Sequence, residues 1–321
     1  MSGNAVAARA MPGRLNLGYA GLLAGLALVA FLGVPVALAA GHAPVAWLLV
    51  PFVLATVPHW ALIHECVHGH CHPRRGVNEA AGRVLAILFL APFDGLRFGH
   101  LSHHALNARP SERPEFYDPA ERSGWRAAAA FYARLLCGVY LLEVASGPLA
   151  LLPRRVLRPI VRWVFYDGMP DAAHMADRAE RVLLAPDVLG RMRRDALLIL
   201  VLLGTAFWLY GPHWPLLLLA LLGRAFLVSF LDNAPHYDGA LAEPDQGYDL
   251  RLPRPLARLV LNTNLHGTHH RHPNLPWTAL PGAFARDGVD FAGSYLLTPW
   301  RQLRGPMPLS RGFPMTSEDR P

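Results

Sequence analysis

Histidine residues recur in this chain at spacings that suit a metal centre. His64 and His68 lie four positions apart, and the segments 100–104 and 266–270 each place histidines at positions i, i+3 and i+4. On a helix, residues four positions apart share one face, so the two imidazoles of such a pair can ligate one ion. The spacing therefore predicts a metal centre whose ligands are presented by helices.

Nine histidines are candidate ligands. Besides the three spaced clusters, His236 follows a strongly apolar run. The predicted ligands are His64, His68, His100, His103, His104, His236, His266, His269 and His270. A tetrahedral zinc ion takes four ligands, so this set suits two metal ions with positions left open. Imidazole accepts iron, copper, zinc or nickel, and chemistry with oxygen favours iron because zinc is not redox-active.

The first cluster also matches a different metal signature. His64, Glu65 and His68 fit HExxH, the pattern of zinc proteases in which the glutamate is the general base. That interpretation uses two histidines and leaves the later clusters without a role. A membrane transporter or sensor for metal ions is a further alternative, but transport needs ligands spread through the depth of the membrane. Here the histidines cluster beside the ends of apolar runs, which favours a redox enzyme.

The elements that must position these histidines are apolar. Of the 321 residues, 53% are hydrophobic and only 17% are charged, and the mean hydropathy is +0.24. Soluble domains carry about 25% charged residues. Three cysteines exclude a disulfide scaffold, and the apolar content excludes disorder. We expect one membrane domain over residues 15–304, between an N-terminal cytoplasmic tail of residues 1–14 and a loose C-terminal tail of residues 305–321.

Two long apolar stretches each predict a helical hairpin. Residues 15–64 contain no Asp, Glu, Arg or Lys, which leaves room for two spans of about 20 residues. Residues 196–231, interrupted by Gly and Pro, predict the second pair. A cleaved signal peptide is the alternative for the first helix, but its apolar run exceeds the roughly 7–15 residues of such peptides. The predicted fold is all-α: an integral membrane protein with four transmembrane helices in two hairpins and a cytoplasmic helical cap that holds a di-metal site.

The charge distribution predicts the orientation of this domain. The net charge is +7, all 30 basic residues are Arg, and many of them lie between the two hairpins. Positive charge marks the cytoplasmic side, so we expect both termini and the histidine clusters there, in an inner membrane of bacterial type, with no nucleic-acid partner. The apolar pieces 84–92 and 127–152 are interpreted as interfacial or re-entrant. One more crossing would put the clusters on opposite sides.

The three spaced clusters resemble the histidine boxes of the membrane fatty acid desaturase family. HxxxH at 64–68 and HxxHH at 100–104 and 266–270 carry the resemblance, which runs from about residue 64 to 281. Related branches are carotenoid ketolases and hydroxylases and alkane hydroxylases. The resemblance implies a non-haem di-iron centre with O2 as co-substrate, held by the boxed histidines and His236, that oxidises a lipid C–H bond. Fatty acyl desaturation in lipid metabolism is favoured. Hydroxylation or ketolation stays the alternative, since Glu65 stands where many members have Asp.

Several other side chains are candidates for supporting roles. Polar groups expected to orient the imidazoles through their second ring nitrogen are Glu65, Asp118, Asp232, Asn233 and Asp238. Arg224 lies within the fourth apolar helix, where it either meets an acidic group of the substrate or Asp232 or extends to the cytoplasmic interface. The chain has no GxGxxG loop and no iron–sulfur cysteine motif. We therefore expect electrons from an external ferredoxin-like carrier with its reductase. The arginine-rich stretch 154–194 suits an acidic carrier, but setting the membrane orientation is the favoured role of these arginines.

Overall fold

The computed structural model describes residues 11–107, 109–165, 172–241 and 247–312, and these are mostly helical. The helices are α1 (Gly13–Ala39), α2 (Leu49–Leu54), α3 (Thr56–Val67), α4 (Arg75–Phe89), α5 (Phe93–Leu106), α6 (Gly124–Ala150), α7 (Arg154–Val164), α8 (Ala172–Leu183), α9 (Pro186–Tyr210), α10 (Trp214–Asp232), α11 (Arg254–Leu259), α12 (His266–Arg271) and α13 (Leu280–Asp287). Two parallel pairs of two-residue strands are β1 (Phe116–Tyr117) with β4 (Met307–Pro308) and β2 (Leu250–Arg251) with β3 (Gly293–Ser294). The expectation of a helical fold is confirmed.

Prolines account for the bends of the first hairpin. α1 contains a π-helical turn, Val29–Gly33, directly before Pro35. The ring and the missing N–H of a proline disrupt the turn that precedes it, which explains this irregularity. The returning arm bends by 43° between α2 and α3. Pro58, in the first turns of α3, removes a hydrogen bond that would otherwise bridge this bend.

The two hairpins pack side by side with both turns at the same end. The last residues of α1, Val34–Ala39, contact the 3-10 turn Gly211–His213 that joins α9 to α10. The hydroxyl of Tyr210 donates a hydrogen bond to the carbonyl oxygen of Ala30 at 2.8 Å. Apolar side chains from both hairpins form a shared core. As a result α3 and α10 both run away from the turns. We call the end of the hairpins that they approach, where His64 and His236 lie, the histidine end.

Helices α4 and α5 meet at a bend of 100°, where Leu90 adopts a left-handed backbone conformation. In the first turn of α5, Asp94 accepts hydrogen bonds from Arg83 of α4 and Arg191 of α9. Arg83 also pairs with Asp195 of α9. Both carboxylates are buried, where breaking an ion pair costs more than it does at the surface. This network fixes α5, with its histidines, relative to α4 and α9.

Both apolar pieces that were predicted to be interfacial are helical. Residues 84–92 form the end of α4 and the bend that follows. The second piece is α6, whose Tyr140 N–H donates to Ser229 Oγ near the end of α10. Ala150, at the end of α6, accepts a hydrogen bond from Arg193 near the start of α9. α6 thus contacts the second hairpin at the end of α10 and the start of α9, and its interfacial position stays a prediction.

By length and composition, the described helices allow three to five membrane spans. Within the described part of the chain, three helical stretches are long and apolar enough to cross a membrane: Gly13–Ala39, Gly124–Ala150 and Pro186–Asp232. The last of these contains α9, α10 and the turn between them. Two bent pairs, the arm of α2 and α3 and the pair of α4 and α5, raise the number to five. By length and composition α6 also qualifies, so four spans stay a prediction.

The described part of the predicted C-terminal tail, residues 305–312, contacts the rest of the chain. Met307 pairs with Phe116 through the strands β4 and β1, and the Gly305 carbonyl accepts a hydrogen bond from the Tyr237 hydroxyl at 2.7 Å. Main-chain pairing and the burial of Met307 hold residues 305–312 against the rest of the chain. Residues 1–10 and 313–321 of the two predicted tails lie outside the described residues.

Candidate metal centre

All nine predicted histidines lie together at the histidine end. They form two groups, and within each group the ligand atoms lie within 4.8 Å of one another. The first group is His64, His68, His100, His104 and His269, and the second group is His103, His236, His266 and His270. They are supplied by α3, α5, the loop after α10, and α12. Four elements that are distant in sequence therefore converge on one place.

Each HxxHH segment contributes to both groups. On α5 the histidines at i and i+4 belong to the first group, and His103 belongs to the second. On α12 the assignment is reversed, because His269 alone belongs to the first group. Positions i+3 and i+4 point about 100° apart on a helix, so adjacent histidines face different sites. The rings of His104 and His270 stack at 4.4 Å where the groups meet.

The nitrogen positions in the first group fit metal ligation. The Nε2 atom of His100 lies 2.8 Å from that of His68 and 3.0 Å from that of His104. Two imidazoles bound at right angles to one ion, each about 2.1 Å away, have nitrogens about 3.0 Å apart. A ring nitrogen carries either one proton or one lone pair, so ordinary hydrogen bonds do not explain how His100 approaches two partners.

The second group repeats this arrangement. His236 Nε2 lies 3.0 Å from His103 Nε2 and 2.7 Å from His266 Nε2. Burial, and then repulsion from neighbouring histidines, lowers the pKa of His266 and His269 well below the ordinary histidine value. These imidazoles stay neutral, which is the form that binds a metal ion. The residues of both groups therefore fit ions bound through imidazole nitrogens.

The position of α12 depends on Asp249. Asp249 Oδ1 accepts a hydrogen bond from the main-chain N–H of Thr268 at 2.8 Å. Asp249 Oδ2 accepts from the Thr268 hydroxyl and from Arg271, each at 3.0 Å. The helix also packs closely on the segment before it, since a Cβ atom on Gly267 would lie 2.3 Å from the carbonyl oxygen of Gly247. A helix of six residues is marginal alone, so these contacts hold it in place.

A buried ion pair holds the loop that carries His236. Glu115 accepts hydrogen bonds from Arg113 Nε at 2.9 Å and Nη2 at 2.6 Å, and both side chains are fully buried. Arg113 also donates to the carbonyl oxygens of His236 and Gly239. The predicted candidate Asn233 donates to Glu115 Oε2 at 3.0 Å and so supports the loop rather than an imidazole. The sequence carries no local signal for Arg113, which lies 123 positions from His236.

Glu65 lies beside the first group but bonds elsewhere. Its Oε2 accepts a hydrogen bond from the main-chain N–H of Trp277 at 3.2 Å, while its Oε1 is 3.8 Å from His64 Nδ1, beyond hydrogen-bond distance. The Trp277 ring N–H donates to Asn16 Oδ1 at 3.0 Å, and Asn16 Nδ2 donates to the Cys71 carbonyl at 3.0 Å. These bonds tie the start of α1 to the loops around the first group.

The other predicted carboxylates are placed away from the imidazoles. Asp118 caps a turn by accepting a main-chain hydrogen bond, and Asp238 forms a surface ion pair, so local partners hold both. Asp232 is exposed and lines the cavity described below. Glu112 is an unpredicted neighbour, with Oε2 at 3.7 Å from His103 Nδ1. Closeness to the histidines in the sequence therefore does not predict which carboxylates lie near them in the structure.

Arg224 is fully buried, but it lies between the hairpins and not at the histidines. Its guanidinium group is 4.4 Å from the ring centre of Phe52 and 5.3 Å from that of Phe89. Its Nη1 donates to the Phe52 carbonyl at 3.4 Å, and none of the described residues bonds its Nε or Nη2. Aromatic faces stabilise the cation here. The cavity wall, as far as it is described, does not include Arg224, so the expected contact with a substrate acid is not supported.

A cavity of about 850 Å³ opens on both groups. The histidines that line it are His64, His100, His103, His236, His266 and His269. Most of its remaining wall is apolar, with Phe98, Leu149, Val161, Met175 and Met192 among the lining residues. Small-molecule sites usually enclose roughly 300–1,000 Å³. The cavity therefore has the size and the lining for a hydrocarbon chain beside the imidazoles.

The chain is similar to plant enzymes that act on fatty acids. It is 26% identical over 233 residues to the acyl-lipid (9+3)-(E)-desaturase of Dimorphotheca sinuata, which covers 68% of this chain and 59% of that protein. It is 24% identical over 277 residues to a probable fatty acid desaturase, DES1, of Sorghum bicolor, which covers 78% and 65%. Fatty acid conjugase FAC2 A of Calendula officinalis is 22% identical over 254 residues, which covers 73% and 64%. The chain thus spans less than two thirds of the length of these relatives.

A family profile gives the broader match. Residues 42–301 match the family described as fatty acid desaturase, and this region contains every histidine of both groups. The match covers most of the chain and includes the stretches that are apolar enough to cross a membrane, except for α1, which ends before it. The chain therefore belongs to the fatty acid desaturase family, and its apolar helices and histidine clusters mark it as an integral membrane protein of that family.

Proposed function

We propose that this chain catalyses the O2-dependent oxidation of a lipid C–H bond at a histidine-ligated di-iron centre, with fatty acyl desaturation as the reaction. The observation that supports it best is that two imidazole groups open onto one apolar cavity of about 850 Å³. In this proposal each group holds one iron ion. The irons supply the redox chemistry with O2, which amino-acid side chains lack.

The protein's own residues contribute positioning and water exclusion. Phe98, Leu149 and Met192 bury the acyl chain, and each CH2 group removed from water contributes about 0.8 kcal/mol. Asp249 holds α12, and the pair of Arg113 and Glu115 holds the His236 loop, so the imidazoles keep their geometry before substrate arrives. A chain held in this way presents its C–H bonds to the metal centre in a dry site.

Three other functions have less support. Hydroxylation or ketolation would use the same site and add oxygen instead of forming a double bond, but the relatives are named as desaturases or a conjugase. A zinc protease would need Glu65 free to act as a base, and Glu65 Oε2 is bonded to Trp277. A transporter would need ligands along the membrane depth, and the histidines lie at one end of both hairpins.

The proposal includes an orientation and an electron donor. The histidine end faces the cytoplasm of a bacterial-type inner membrane, where an external ferredoxin-like carrier with its reductase delivers electrons. The docking surface on α7 is narrower than the stretch 154–194, because Arg158 and Arg162 pair with Glu180 of α8. Arg154 and Arg155 remain exposed at the start of α7 and suit an acidic partner.

Metal content and lipid mass test this function together. The protein is purified in detergent, its iron and zinc are measured, and lipid extracts of expressing cells are compared with and without O2. We expect about two irons per chain, as the coordination of nine imidazoles implies, and an acyl chain that loses two hydrogens. A lipid that gains oxygen would establish hydroxylation or ketolation instead. One zinc ion with unchanged lipids would contradict the proposal and support the protease.

A further inference from the structure

One carboxyl group stands out in the cavity wall. α6 is mostly apolar over its 27 residues, and Glu143 is its single acidic residue beside two arginines, Arg126 and Arg134. Glu143 lines the cavity together with Leu142, Ser146 and Leu149, which share its face of the helix. Its Oε2 atom is buried, and no hydrogen-bond partner for it exists among the described residues. One carboxyl oxygen without a partner thus lies in the wall of the space that the lipid is proposed to fill.

An unpartnered buried carboxyl destabilises the protein unless a ligand satisfies it. Transfer of a polar group out of water without a hydrogen bond is unfavourable, and the penalty grows when the group is charged. Within the described residues no ion pair links Glu143 to a cation. A purely hydrocarbon substrate would leave this group unsatisfied while filling the cavity around it. A substrate with a polar group at this point would not.

Two exposed charged residues line the same cavity. Arg134 belongs to a π-helical turn of α6, Arg134–Gly138, and Asp232 ends α10. Such turns often mark functional sites, because they shift the residues that a helix presents. Arg134 disfavours a cationic ligand beside Glu143, and the carboxylate of Asp232 disfavours an anionic one. A neutral group that can donate and accept hydrogen bonds is compatible with all three side chains.

We propose that Glu143 binds a neutral hydrogen-bonding group of the lipid, a hydroxyl or an amide, and so selects polar-substituted acyl lipids over plain ones. This inference rests on the proposed function, since it assigns the substrate class of the same cavity. A hydroxyl group satisfies Glu143 in either protonation state, as donor to the carboxylate or as acceptor from the acid. One hydrogen bond to Glu143, in an otherwise mostly apolar cavity, then distinguishes lipids with a polar substituent from plain ones.

Ligand binding tests this without turnover. Trp60 and Trp163 line the cavity, so their fluorescence reports a bound lipid in the detergent-purified full chain. The probes are methyl octadecanoate and three counterparts that carry one hydroxyl near the head, in the middle or at the tail. We expect at least one hydroxylated probe to bind about tenfold more tightly than the plain ester, the effect of one hydrogen bond to a buried carboxyl.

Substitutions of Glu143 test whether the preference for a hydroxylated probe depends on this residue. Glu143→Leu should abolish it and tighten binding of the plain ester, because it removes an unsatisfied polar group. Glu143→Gln should keep part of it, since an amide also donates and accepts. Glu121→Gln, at an exposed glutamate outside the described lining, is the matched control and should keep the full preference. Thermal unfolding verifies that each variant is folded.

The outcomes separate this inference from the proposed function. If no hydroxylated probe binds more tightly, or if Glu143→Leu keeps the preference, the inference is wrong whatever the iron content. If the preference depends on Glu143 but the protein holds no iron and oxidises no lipid, the proposed function fails and the lipid-binding role of Glu143 stands. Fluorescence needs neither metal nor electrons, so the two results are independent.

Discussion

The histidines of the two groups are held in place in different ways. Most of the histidines come from helices, which fix their direction, whereas His236 comes from a loop that Arg113 and Glu115 hold through its main chain. His236 Nε2 also lies within 3.0 Å of ring nitrogens from both α5 and α12. This histidine therefore joins the two helices through the second group.

Replacement of His236 should remove iron. We expect His236→Ala to lower the iron content from about two per chain to about one or less, because three imidazoles remain where four converge. Iron is measured by elemental analysis of the purified variant. The control is His42→Ala, since His42 is an exposed histidine in the turn of the first hairpin. Full iron content in His236→Ala would contradict its role as a ligand.

At the scale of the elements, the position of each histidine depends on the position of the helix that carries it. α12 has six residues and supplies three histidines to two groups. Its place is set by Asp249 and by the close approach of Gly267 to Gly247. Glycine is required at 267 for space, since its neighbour is a main-chain oxygen that cannot turn aside.

A methyl group at this contact should displace the helix. In Gly267→Ala the new Cβ atom would lie 2.3 Å from the Gly247 carbonyl oxygen. We expect a loss of stability on the order of 3 kcal/mol and a parallel loss of iron, measured by thermal unfolding and elemental analysis. The control is Gly190→Ala in α9, where a Cβ atom meets no other atom within 4 Å. A helix-interior alanine stabilises by roughly 0.5–1 kcal/mol, so an equal response of both variants would disprove the steric argument.

At the scale of the whole molecule, the two hairpins place both turns at one end and all nine histidines at the other. The turns are exposed at His42 and His213, and α7 is exposed at Arg155 beyond the histidine end. If the hairpins cross the membrane, residues at the two turns share one side. The arginine-rich segments then lie on the opposite side, which in the proposed orientation is the cytoplasmic one.

Cysteine labelling in intact cells tests this arrangement. We expect His42→Cys and His213→Cys to react with a membrane-impermeant maleimide from outside, and Arg155→Cys to react only after the membrane is opened. Cys66 and Cys71 are buried, and Cys137 is replaced by Ala to lower the background. Labelling of the two turns from opposite sides would contradict two hairpins. Labelling of all three sites in reversed order would invert the orientation alone.

The sequence predicts those features of the fold and of the metal centre that depend on residues close together in the chain. Long apolar runs predict the hairpins, and the i, i+4 spacing of histidines predicts which side chains meet, because both follow from the geometry of one helix. The supporting contacts depend on distant partners. Asn16 and Trp277 are 261 positions apart, and Asn233 and Glu115 are 118 apart. No spacing rule reports such pairs, and for this reason the sequence indicates Asp118 and Asp238 and not Glu115 and Asp249.

The division of each HxxHH segment between two groups has a consequence for how metal enters. Since α5 and α12 each supply ligands to both groups, an ion in one group immobilises the helices that form the other, and the second ion meets a smaller entropic penalty. Uptake should therefore be positively cooperative. With iron at half saturation, native mass spectrometry should find chains with two ions or none, and a dominant one-ion species would argue against this coupling. Iron scarcity would then reduce the number of working molecules without producing half-filled ones that consume O2 unproductively.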